Sequence, residues 1–396
     1  MFAAVELAPR DPILGLNEAF AADSRSTKVN LGVGVYCDEN GKLPLLKAVK
    51  EAEAIRIANA LPRGYLPIEG VPLYNQAVQG LLFGSDSAIV TQGRAATFEA
   101  LGGTGALKIG ADFLKRMLPN SELLISDPSW ENHRALFEAA GFKVSTYPYY
   151  DAPSHGVNFA GMLATLENAA EQTIVVLHAC CHNPTGVDLS NEQWSQVVAT
   201  VKAKNLVAFL DFAYQGFGDG IAEDSAALNM FSQSGISFFI SSSFSKSFSF
   251  YGERVGALTV VTQSKDETTR VTSQIKRVIR TNYSNPPTHG ASVVAAVLST
   301  PALRQMWEEE LAGMRTRIKA MRSGFVDGLN AMGVSQDFSF VGRQRGMFSY
   351  SGLTAEQVEK LRVNDGIYAV NTGRICVAAL NNKNLDYVLK AIAKVV

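Results

Sequence analysis

Short, almost continuously apolar runs recur through the middle of the chain. They are ELLISDP (122–128), TIVVLHACC (173–181), LVAFLDF (206–212) and SFFISSSFS (237–245). Strands that are covered on both faces have this composition. An amphipathic stretch, NEQWSQVVATVKAK (191–204), lies between two of these runs and has helical spacing. This alternation predicts an α/β fold with a mostly parallel sheet.

Residues 301–333 have a different pattern, with apolar side chains at steps of mostly three and four. These are Leu303, Met306, Trp307, Leu311, Met314, Ile318, Met321, Phe325 and Leu329. The spacing predicts one long amphipathic helix that starts at Pro301. We expect a large domain over 46–314, and a smaller α+β domain built from 1–45 and 315–396.

The composition excludes several classes of protein. Of the 396 residues, 47% are hydrophobic and 18% are charged, and the net charge is −1. We therefore expect a folded chain without a basic surface that would bind nucleic acid or an anionic membrane. The start, MFAAVELAPRDPILG, lacks the pattern of a signal peptide, and runs such as ASVVAAVL (291–298) are too short to cross a bilayer. Four cysteines form no disulfide framework, so we expect a cytoplasmic protein.

Two motifs each allow two interpretations. The segment GGTGALK (102–108) opens a stretch with helical spacing, so it is either a phosphate-binding turn or a flexible connection. The segment HACCHNPTG (178–186) suggests a metal site. On an extended strand, however, His178, Cys180 and His182 would share one face and Cys181 would point the other way. This is a poor tetrahedral arrangement, so we predict no metal. The NPTG turn would hold Asn183 at the end of the strand.

Polar side chains follow two of the apolar strands. Asp211 lies near the end of the 206–212 strand, with Tyr214 three residues later, and Trp130 follows the 122–128 strand. Ligands of open parallel sheets gather at the carboxyl ends of the strands. Asp211 is therefore either a cap or loop carboxylate, or the partner of a protonated ligand nitrogen.

Lys246 is the one lysine in SSSFSKSFSFYGERVG (241–256). A single lysine more often extends to the surface, but a desolvated lysine has a low pKa and becomes nucleophilic. Ser243, Ser245 and Arg254 add donors for a phosphate. An amine suited to imine formation, a phosphate anchor and an acid for a ring nitrogen together describe pyridoxal phosphate chemistry. Arg280 and Arg374 are either surface residues or clamps for substrate carboxylates.

With these residues in place, the chain resembles the class I aminotransferases of the aspartate and aromatic amino-acid subgroup over essentially its full length. The resemblance depends on NLGVGVY (30–36), RGYLPIEG (63–70), GGTGAL (102–107), SDPSWENH (126–133), CCHNPTG (180–186), DFAYQGF (211–217), SFSKSFSFYGERVG (243–256), RTNYSNPP (280–287), RGMFSYSGL (345–353) and GRICVA (373–378). It implies the fold of type I pyridoxal-phosphate enzymes, a homodimer with shared active sites, and a small domain that closes over the substrate.

The resemblance also implies a role for each matching position. Lys246 would bond covalently to pyridoxal 5'-phosphate and act as the base, Asp211 would pair with the ring nitrogen, and Tyr214 and Asn183 would contact the ring hydroxyl. Trp130 would stack on the ring. The phosphate ligands would be Gly103, Thr104, Ser243, Ser245, Arg254 and, from the neighbouring subunit, Tyr65. Arg374, Asn183 and Gly34 would bind the α-carboxylate, and Arg280 of the other subunit would face a distal carboxylate.

The substrate preference follows from smaller differences. Arg280 favours aspartate and glutamate, but the aspartate-specific members carry lysine where Cys37 stands and threonine where Leu43 stands. The more apolar pair favours an aromatic ring. Gly64 matches neither subgroup. We therefore expect an aromatic amino-acid aminotransferase that also accepts aspartate and glutamate, with 2-oxoglutarate as acceptor in a ping-pong reaction. The alternative is an aspartate aminotransferase with weak aromatic activity.

Three rival functions remain at this stage. A decarboxylase, eliminase or synthase of similar fold would use the same lysine and aspartate without a second carboxylate clamp. A nicotinamide dehydrogenase would use GGTGAL, but the usual glycine fingerprint is missing. That function would also leave Lys246 unexplained. The third rival is a non-catalytic, cofactor-free binding protein, which would lack the absorbance near the visible edge expected of the enzyme.

Overall fold

The computed structural model describes residues 1–8 and 12–396, and it divides into two compact units. One unit comprises Met1–Leu43 with Arg317–Val396, and the other comprises Pro44–Thr316. The predicted large domain, 46–314, lies inside the second unit. The C-terminal division falls within one long helix, Pro301–Ala331.

The β-strands of the described chain are mostly short. They are β1 (Val29–Asn30), β2 (Ala95–Leu101), β3 (Leu123–Asp127), β4 (Val144–Pro148), β5 (Tyr150–Asp151), β6 (Gly156–Val157), β7 (Ile174–His178), β8 (Val207–Phe212), β9 (Phe238–Ser243), β10 (Val255–Val261), β11 (Phe348–Tyr350), β12 (Ile367–Tyr368) and β13 (Arg374–Cys376). The four strands predicted from apolar runs are β3, β7, β8 and β9, and all four are confirmed.

The α-helices follow the strands along the chain. They are α1 (Pro12–Ala22), α2 (Lys47–Asn59), α3 (Pro72–Phe83), α4 (Ala88–Thr91), α5 (Gly102–Met117), α6 (Glu131–Ala139), α7 (Phe159–Asn168), α8 (Asn191–Ala203), α9 (Ala226–Ser234), α10 (Lys265–Asn282), α11 (His289–Ser299), α12 (Pro301–Ala331), α13 (Ala355–Asp365) and α14 (Leu385–Ala393). Helices α8 and α12 confirm the two helical predictions.

Seven strands of the larger unit form one sheet in the order β2-β10-β9-β8-β7-β3-β4. Strand β10 is antiparallel to both of its neighbours, whereas β9, β8, β7, β3 and β4 pair in parallel. The mostly parallel α/β sheet is therefore confirmed. Because β2 is also antiparallel to β10, it runs in the same direction as the parallel strands, and its carboxyl end lies at the same edge as theirs.

The composition of the strands explains why this sheet forms the core. Every residue of β7, β9 and β10 is buried, because helices cover both faces of a parallel sheet. The helices begin at clear signals: Ser190 and Gln193 form a capping box at the start of α8, and the Ser264 side chain caps α10.

The smaller unit contains two-stranded pairings. Strand β1 pairs with β12 in parallel, and β11 pairs with β13 in an antiparallel arrangement. Helix α13 starts with a capping box of Thr354 and Gln357 and ends at Gly366, which has a left-handed conformation. In neither unit is any described helix both long and apolar enough to span a bilayer.

Candidate active site

The parallel strands place most of the predicted site residues of the larger unit at one edge of the sheet. Strand β8 ends just after Asp211, and β9 ends at Ser243, immediately before the segment that carries Lys246. Strand β2 ends at Leu101, where α5 begins, and the antiparallel β10 starts just after Arg254. Polar groups that are far apart in sequence therefore meet at the carboxyl end of the sheet, as in other open α/β folds.

A cradle of small residues lies at the start of α5. Gly102 has a positive φ of 68°, and a Cβ atom there would lie 2.5 Å from a nitrogen of the Arg254 guanidinium. A Cβ atom on Gly103 would lie 3.1 Å from the Cβ of Ser243. Arg254 donates a hydrogen bond to the hydroxyl of Ser245 at 3.3 Å. Glycine is thus required where the backbone approaches the arginine and serine donors.

This cradle fits a phosphate group. The first turn of the helix, which includes Gly103 and Thr104, presents backbone N–H groups and the positive end of the helix dipole. Arg254 adds a full positive charge, and the Ser243 and Ser245 hydroxyls add neutral donors. The segment GGTGALK forms the first turns of α5, so it is not a flexible connection.

Lys246 lies beside the cradle. Its side chain is partly exposed, but protein atoms surround the ammonium group. Its Nζ atom lies 4.7 Å from the centre of the Tyr214 ring. Burial lowers the pKa of Lys246 to about 8, although the negative charge of Asp211 opposes this effect and Arg254 adds to it. About a tenth of the amine is therefore uncharged and nucleophilic at pH 7, far more than for an ordinary lysine.

Asp211 is buried and is held as a carboxylate by a partner that no sequence motif indicated. Its Oδ2 atom accepts a hydrogen bond from Nε2 of His133 at 2.9 Å. Burial would raise the pKa of Asp211, but the hydrogen bond and charge of His133, with a weaker contribution from the charge of Lys246, lower it below the ordinary value. The site therefore contains a fixed negative charge.

Two further histidines, His178 and His182, lie near His133, and the sequence motif suggested them only as metal ligands. The His178 ring centre lies 5.0 Å from that of His133 and 4.3 Å from that of His182. Burial lowers the pKa of His178 to about 3 and that of His182 well below its ordinary value, so both are neutral. His178 ends β7, the strand next to β8, and it pairs in register with Asp211. Its position at the end of an apolar run was therefore a sequence signal for the site.

Three other predicted residues lie at the same edge. Asn183 donates its side-chain N–H to the Tyr214 hydroxyl at 3.4 Å, and both residues are buried. Trp130 immediately precedes α6, and its ring lies edge-on to His133, with ring centres 5.3 Å apart. The structure thus brings Asn183, Tyr214 and Trp130 into the neighbourhood of Asp211.

The strand alternation predicted for the two adjacent cysteines is wrong. Strand β7 ends at His178, and Cys181 has a positive φ of 52°. The sulfur atoms of Cys180 and Cys181 and a carboxylate oxygen of Asp224 lie within 4.8 Å of one another. The Asp224 carboxylate, however, accepts backbone N–H groups of Gly216, Gly218 and Asp219 at 2.8–2.9 Å, so it orders the loop after Tyr214.

The two predicted residues of the smaller unit are Arg374 and Gly34, and both lie beside Phe348. Arg374 starts β13, is 2% exposed and donates to the Gly32 carbonyl at 2.6 Å. Its guanidinium lies 4.6 Å from the centre of the Phe348 ring. The same ring would lie 3.3 Å from a Cβ atom on Gly34, so this glycine lets the backbone approach the aromatic ring.

Two predicted residues of the larger unit lie on its surface instead. Tyr65 is 99% exposed. Arg280 is exposed in the last turn of α10 and donates to the Ser284 hydroxyl. The structure therefore does not bring Tyr65 and Arg280 to Lys246 within one chain.

Comparison with known proteins agrees with this geometry. Residues 26–392 match the model of the aminotransferase class I and II family. The chain is 66% identical to the aspartate aminotransferase of Pseudomonas aeruginosa, over 100% of this chain and 99% of that protein. It is 51% identical to the aromatic-amino-acid aminotransferase of Escherichia coli, over the whole of both chains.

A solved structure is similarly close. It is the aromatic-amino-acid aminotransferase from Burkholderia pseudomallei covalently bound to pyridoxal phosphate, with 65% identity and a TM-score of 0.98. The match covers 100% of this chain and 99% of that one. The resemblance inferred from the sequence motifs is confirmed, and the chain belongs to the class I and II aminotransferase family.

Proposed function

We propose that this enzyme is a pyridoxal-phosphate-dependent transaminase that exchanges amino groups between amino acids and 2-oxo acids. The observation that carries the proposal is the pairing of a low-pKa amine, Lys246, with a buried carboxylate, Asp211, beside the cradle at the start of α5. Bound pyridoxal phosphate supplies an aldehyde carbon and an electron-accepting ring.

The cradle holds the phosphate end of the cofactor. Gly103, Thr104, Ser243, Ser245 and Arg254 provide the donors for it. Only part of the group's charge is neutralised by a single arginine, so the helix dipole and the hydroxyl groups supply the remaining stabilisation.

Asp211 holds a proton on the ring nitrogen. Because His133 donates to Asp211, the carboxylate stays ionised and keeps its orientation toward the ring. Tyr214 and Asn183, which are hydrogen-bonded to each other, contact the ring hydroxyl. Trp130 would cover one face of the ring of bound pyridoxal phosphate. These groups would hold the ring in a fixed orientation.

Lys246 moves the proton of the substrate Cα atom. Its pKa of about 8 is close to neutral pH, so the amine can accept this proton as a base and donate it again later in the half-reaction. Release of the 2-oxo acid ends the first half-reaction. A second 2-oxo acid, which we propose to be 2-oxoglutarate, reverses the steps.

Arg374 binds the α-carboxylate of the substrate, with the backbone of Gly34. The fixed planar guanidinium of Arg374, stacked on Phe348, suits two parallel hydrogen bonds to a carboxylate. Arg280 binds the distal carboxylate of aspartate, glutamate and 2-oxoglutarate from the neighbouring subunit.

We propose dual specificity, with aromatic amino acids accepted along with aspartate and glutamate. Cys37 and the exposed Leu43 make their part of the smaller unit apolar. Relatives named aspartate aminotransferase and aromatic-amino-acid aminotransferase both match the full chain. An aspartate aminotransferase with weak aromatic activity is the second candidate, and the 66% identity to a protein of that name favours it. Comparison of kcat/KM for phenylalanine and aspartate decides between them, since a phenylalanine value thousands of times lower contradicts dual specificity.

The working form is a homodimer that shares its active sites. Support comes from apolar side chains exposed on the larger unit, namely Ile55 (49%), Ile57 (71%), Leu61 (60%), Tyr65 (99%) and Leu73 (49%). Burying these side chains against a second copy removes apolar area from water. Such contact would also bring Tyr65 and Arg280 to a neighbouring site.

Subunit mixing tests this arrangement. Lys246→Ala and Arg280→Ala variants are each expected to lose dicarboxylate activity. If Arg280 acts across the interface, unfolding and refolding the two together restores about a quarter of the wild-type activity, because half of the dimers contain one intact site. No recovery, with dimers confirmed by light scattering, contradicts the shared site.

We also propose a cytoplasmic location. Cys37, Cys180, Cys181 and Cys376 form no disulfide bond, as is usual in a reducing compartment. Cell fractionation with a periplasmic marker enzyme tests this location, and co-release with the marker contradicts it.

The decisive test of the mechanism identifies the side chain that bonds covalently to the cofactor. Borohydride reduction of the purified holoprotein, followed by peptide mapping, is expected to place the cofactor on Lys246. A label on another side chain, or no label, overturns the proposal. A substrate panel with 2-oxoglutarate as acceptor separates a transaminase from a decarboxylase or eliminase, which would not consume the acceptor.

A further inference from the structure

We infer that Trp307 is a positioning residue that fixes the turn on which Lys246 lies. This inference rests on the proposed role of Lys246 as the reactive amine. Trp307 is on α12 and lies 61 positions after Lys246 in the chain, yet its indole contacts the residue next to Lys246.

The first contact is a buried hydrogen bond. The indole Nε1–H of Trp307 donates to the backbone carbonyl of Ser247 at 2.7 Å. Within the turn itself, the Lys246 carbonyl accepts from the N–H of Ser249 at 3.1 Å. The Lys246 carbonyl is therefore bonded inside the turn, whereas the Ser247 carbonyl is bonded to a side chain of another element, α12.

The second contact is a ring stack. The rings of Trp307 and Phe248 have centres 4.8 Å apart and planes inclined by 24°. Each of the two residues is 1% exposed. Phe248 in turn meets Phe244 edge to face, with centres 5.4 Å apart. The turn is thus held in two directions, by the hydrogen bond along the indole plane and by the stack perpendicular to it.

A small cavity gives the turn room to shift if Trp307 releases it. The cavity has a volume of about 10 Å³, enough for about one water molecule, and Ser242, Ser247, Gln215, Phe212 and Trp307 are among the residues that line it. The Ser242 hydroxyl is buried there without a hydrogen-bond partner. Loss of the indole donor would therefore let the Ser247 carbonyl and a water molecule rearrange, rather than only weaken the fold.

A shift of the turn changes the surroundings of the amine. The Lys246 Nζ atom lies over the Tyr214 ring, with Asp211 and Arg254 as the charged groups that act on it. Tyr214 and Asp211 belong to a different part of the sheet edge, so they do not move with the turn. More water around the amine would raise its pKa and misalign it with the reacting carbon.

The test is Trp307→Phe, which keeps an aromatic ring for the stack and removes only the donor and the second ring. In the apoprotein, the pH dependence of Lys246 acetylation by acetic anhydride, measured by peptide mapping, gives the midpoint for the amine. We expect this midpoint to rise by about half a unit or more. In the holoenzyme, kcat is expected to fall about five- to tenfold, with KM for 2-oxoglutarate within about twofold of wild type.

Trp194→Phe is the matched control. Trp194 is also a buried tryptophan of the larger unit and packs edge to face against Phe231. This variant controls for loss of buried indole area, so it is expected to lower Tm without moving the acetylation midpoint. A midpoint and kcat unchanged in Trp307→Phe, or an equal midpoint shift in Trp194→Phe, overturns the inference.

Two further variants keep the result interpretable. Phe248→Leu removes the stack but keeps the indole donor. If Trp307→Phe does not fold, the inference requires a midpoint shift in Phe248→Leu, and an unshifted midpoint refutes it. Lys246→Ala is measured in parallel: if it retains transaminase activity, the proposed function fails, whereas an inactive Lys246→Ala with an unaffected Trp307→Phe refutes the positioning role alone.

Discussion

A carboxyl group buried in the main sheet provides a pH test of stability. Glu99 lies within β2 and is 2% exposed, and its Oε2 atom accepts the backbone N–H of Val71 at 3.1 Å. The neighbouring Gly70, with a φ of 94°, leaves space for the carboxyl, since a Cβ atom there would lie 2.5 Å from Oε2. Burial raises the pKa of Glu99 from 4.5 to about 7, although the Val71 N–H opposes this effect.

The direction of the pH effect follows from these two values. Between pH 4.5 and 7 the folded protein holds the Glu99 proton that the unfolded chain has released, so raising the pH destabilises the folded state. A shift of about 2.5 units corresponds to roughly 3 kcal/mol in total, of which about 2.5 kcal/mol is lost between pH 5 and pH 8. With an unfolding entropy of about 0.8 kcal/mol/K for a chain of 396 residues, this loss lowers Tm by about 3 °C.

The variant Glu99→Gln removes the titration and keeps an oxygen for the Val71 N–H. We expect its Tm to match that of the wild type within about 1 °C at pH 5 and to exceed it by about 3 °C at pH 8. Thermal denaturation at a fixed protein concentration and saturating cofactor measures the difference. Glu122→Gln, at an exposed glutamate, is the control and leaves the pH profile unchanged. Parallel profiles for Glu99→Gln and wild type would refute the reasoning.

Four further predictions concern the site. His133→Asn replaces the imidazole donor to Asp211 with a shorter side chain, so we expect kcat to fall at least about tenfold in steady-state assays. An unchanged kcat would contradict the proposed role of the hydrogen bond. Arg374→Lys loses the planar fork, and KM for both the amino acid and the 2-oxo acid should rise on the order of a hundredfold; a rise for only one substrate would count against a shared carboxylate site. Arg254→Gln should weaken cofactor binding to the apoprotein at least about tenfold by fluorescence titration, and equal affinity would remove it from the phosphate site. Acetylation of Lys246 in the wild-type apoprotein should rise with pH through a midpoint near 8, because only the neutral amine reacts; a midpoint above 10 would contradict the burial effect.

Local sequence patterns predicted the elements that form the core. Strands β7, β8 and β9 are apolar runs bounded by polar residues, and each is buried along nearly its whole length. Helix α12 was predicted from its spacing, and all but one of the apolar residues named for it are buried. These predictions succeed because burial of an apolar strand or helix face is decided mainly by neighbours in sequence.

The failed prediction shows the limit of that reasoning. Extrapolating strand alternation beyond His178 separated the two cysteines, but the chain leaves the sheet there and Cys181 adopts a positive φ. Where a strand ends depends on its partner strand as well as on its own residues. The close approach of the Cys180 and Cys181 sulfur atoms could therefore not be predicted from the local pattern.

The sequence by itself determined the class of fold, and its residue types and motifs marked the candidate lysine, carboxylate and arginines, because these residue types carry the chemistry. Only the tertiary structure revealed that His133 holds Asp211 as an anion and that Trp307 reaches the turn of Lys246. These partners lie 78 and 61 positions apart in the chain, and their contacts depend on how strands and helices pack. Hydrogen bonding and desolvation act over a few ångströms, so they follow distance in space and leave no local signal in the sequence.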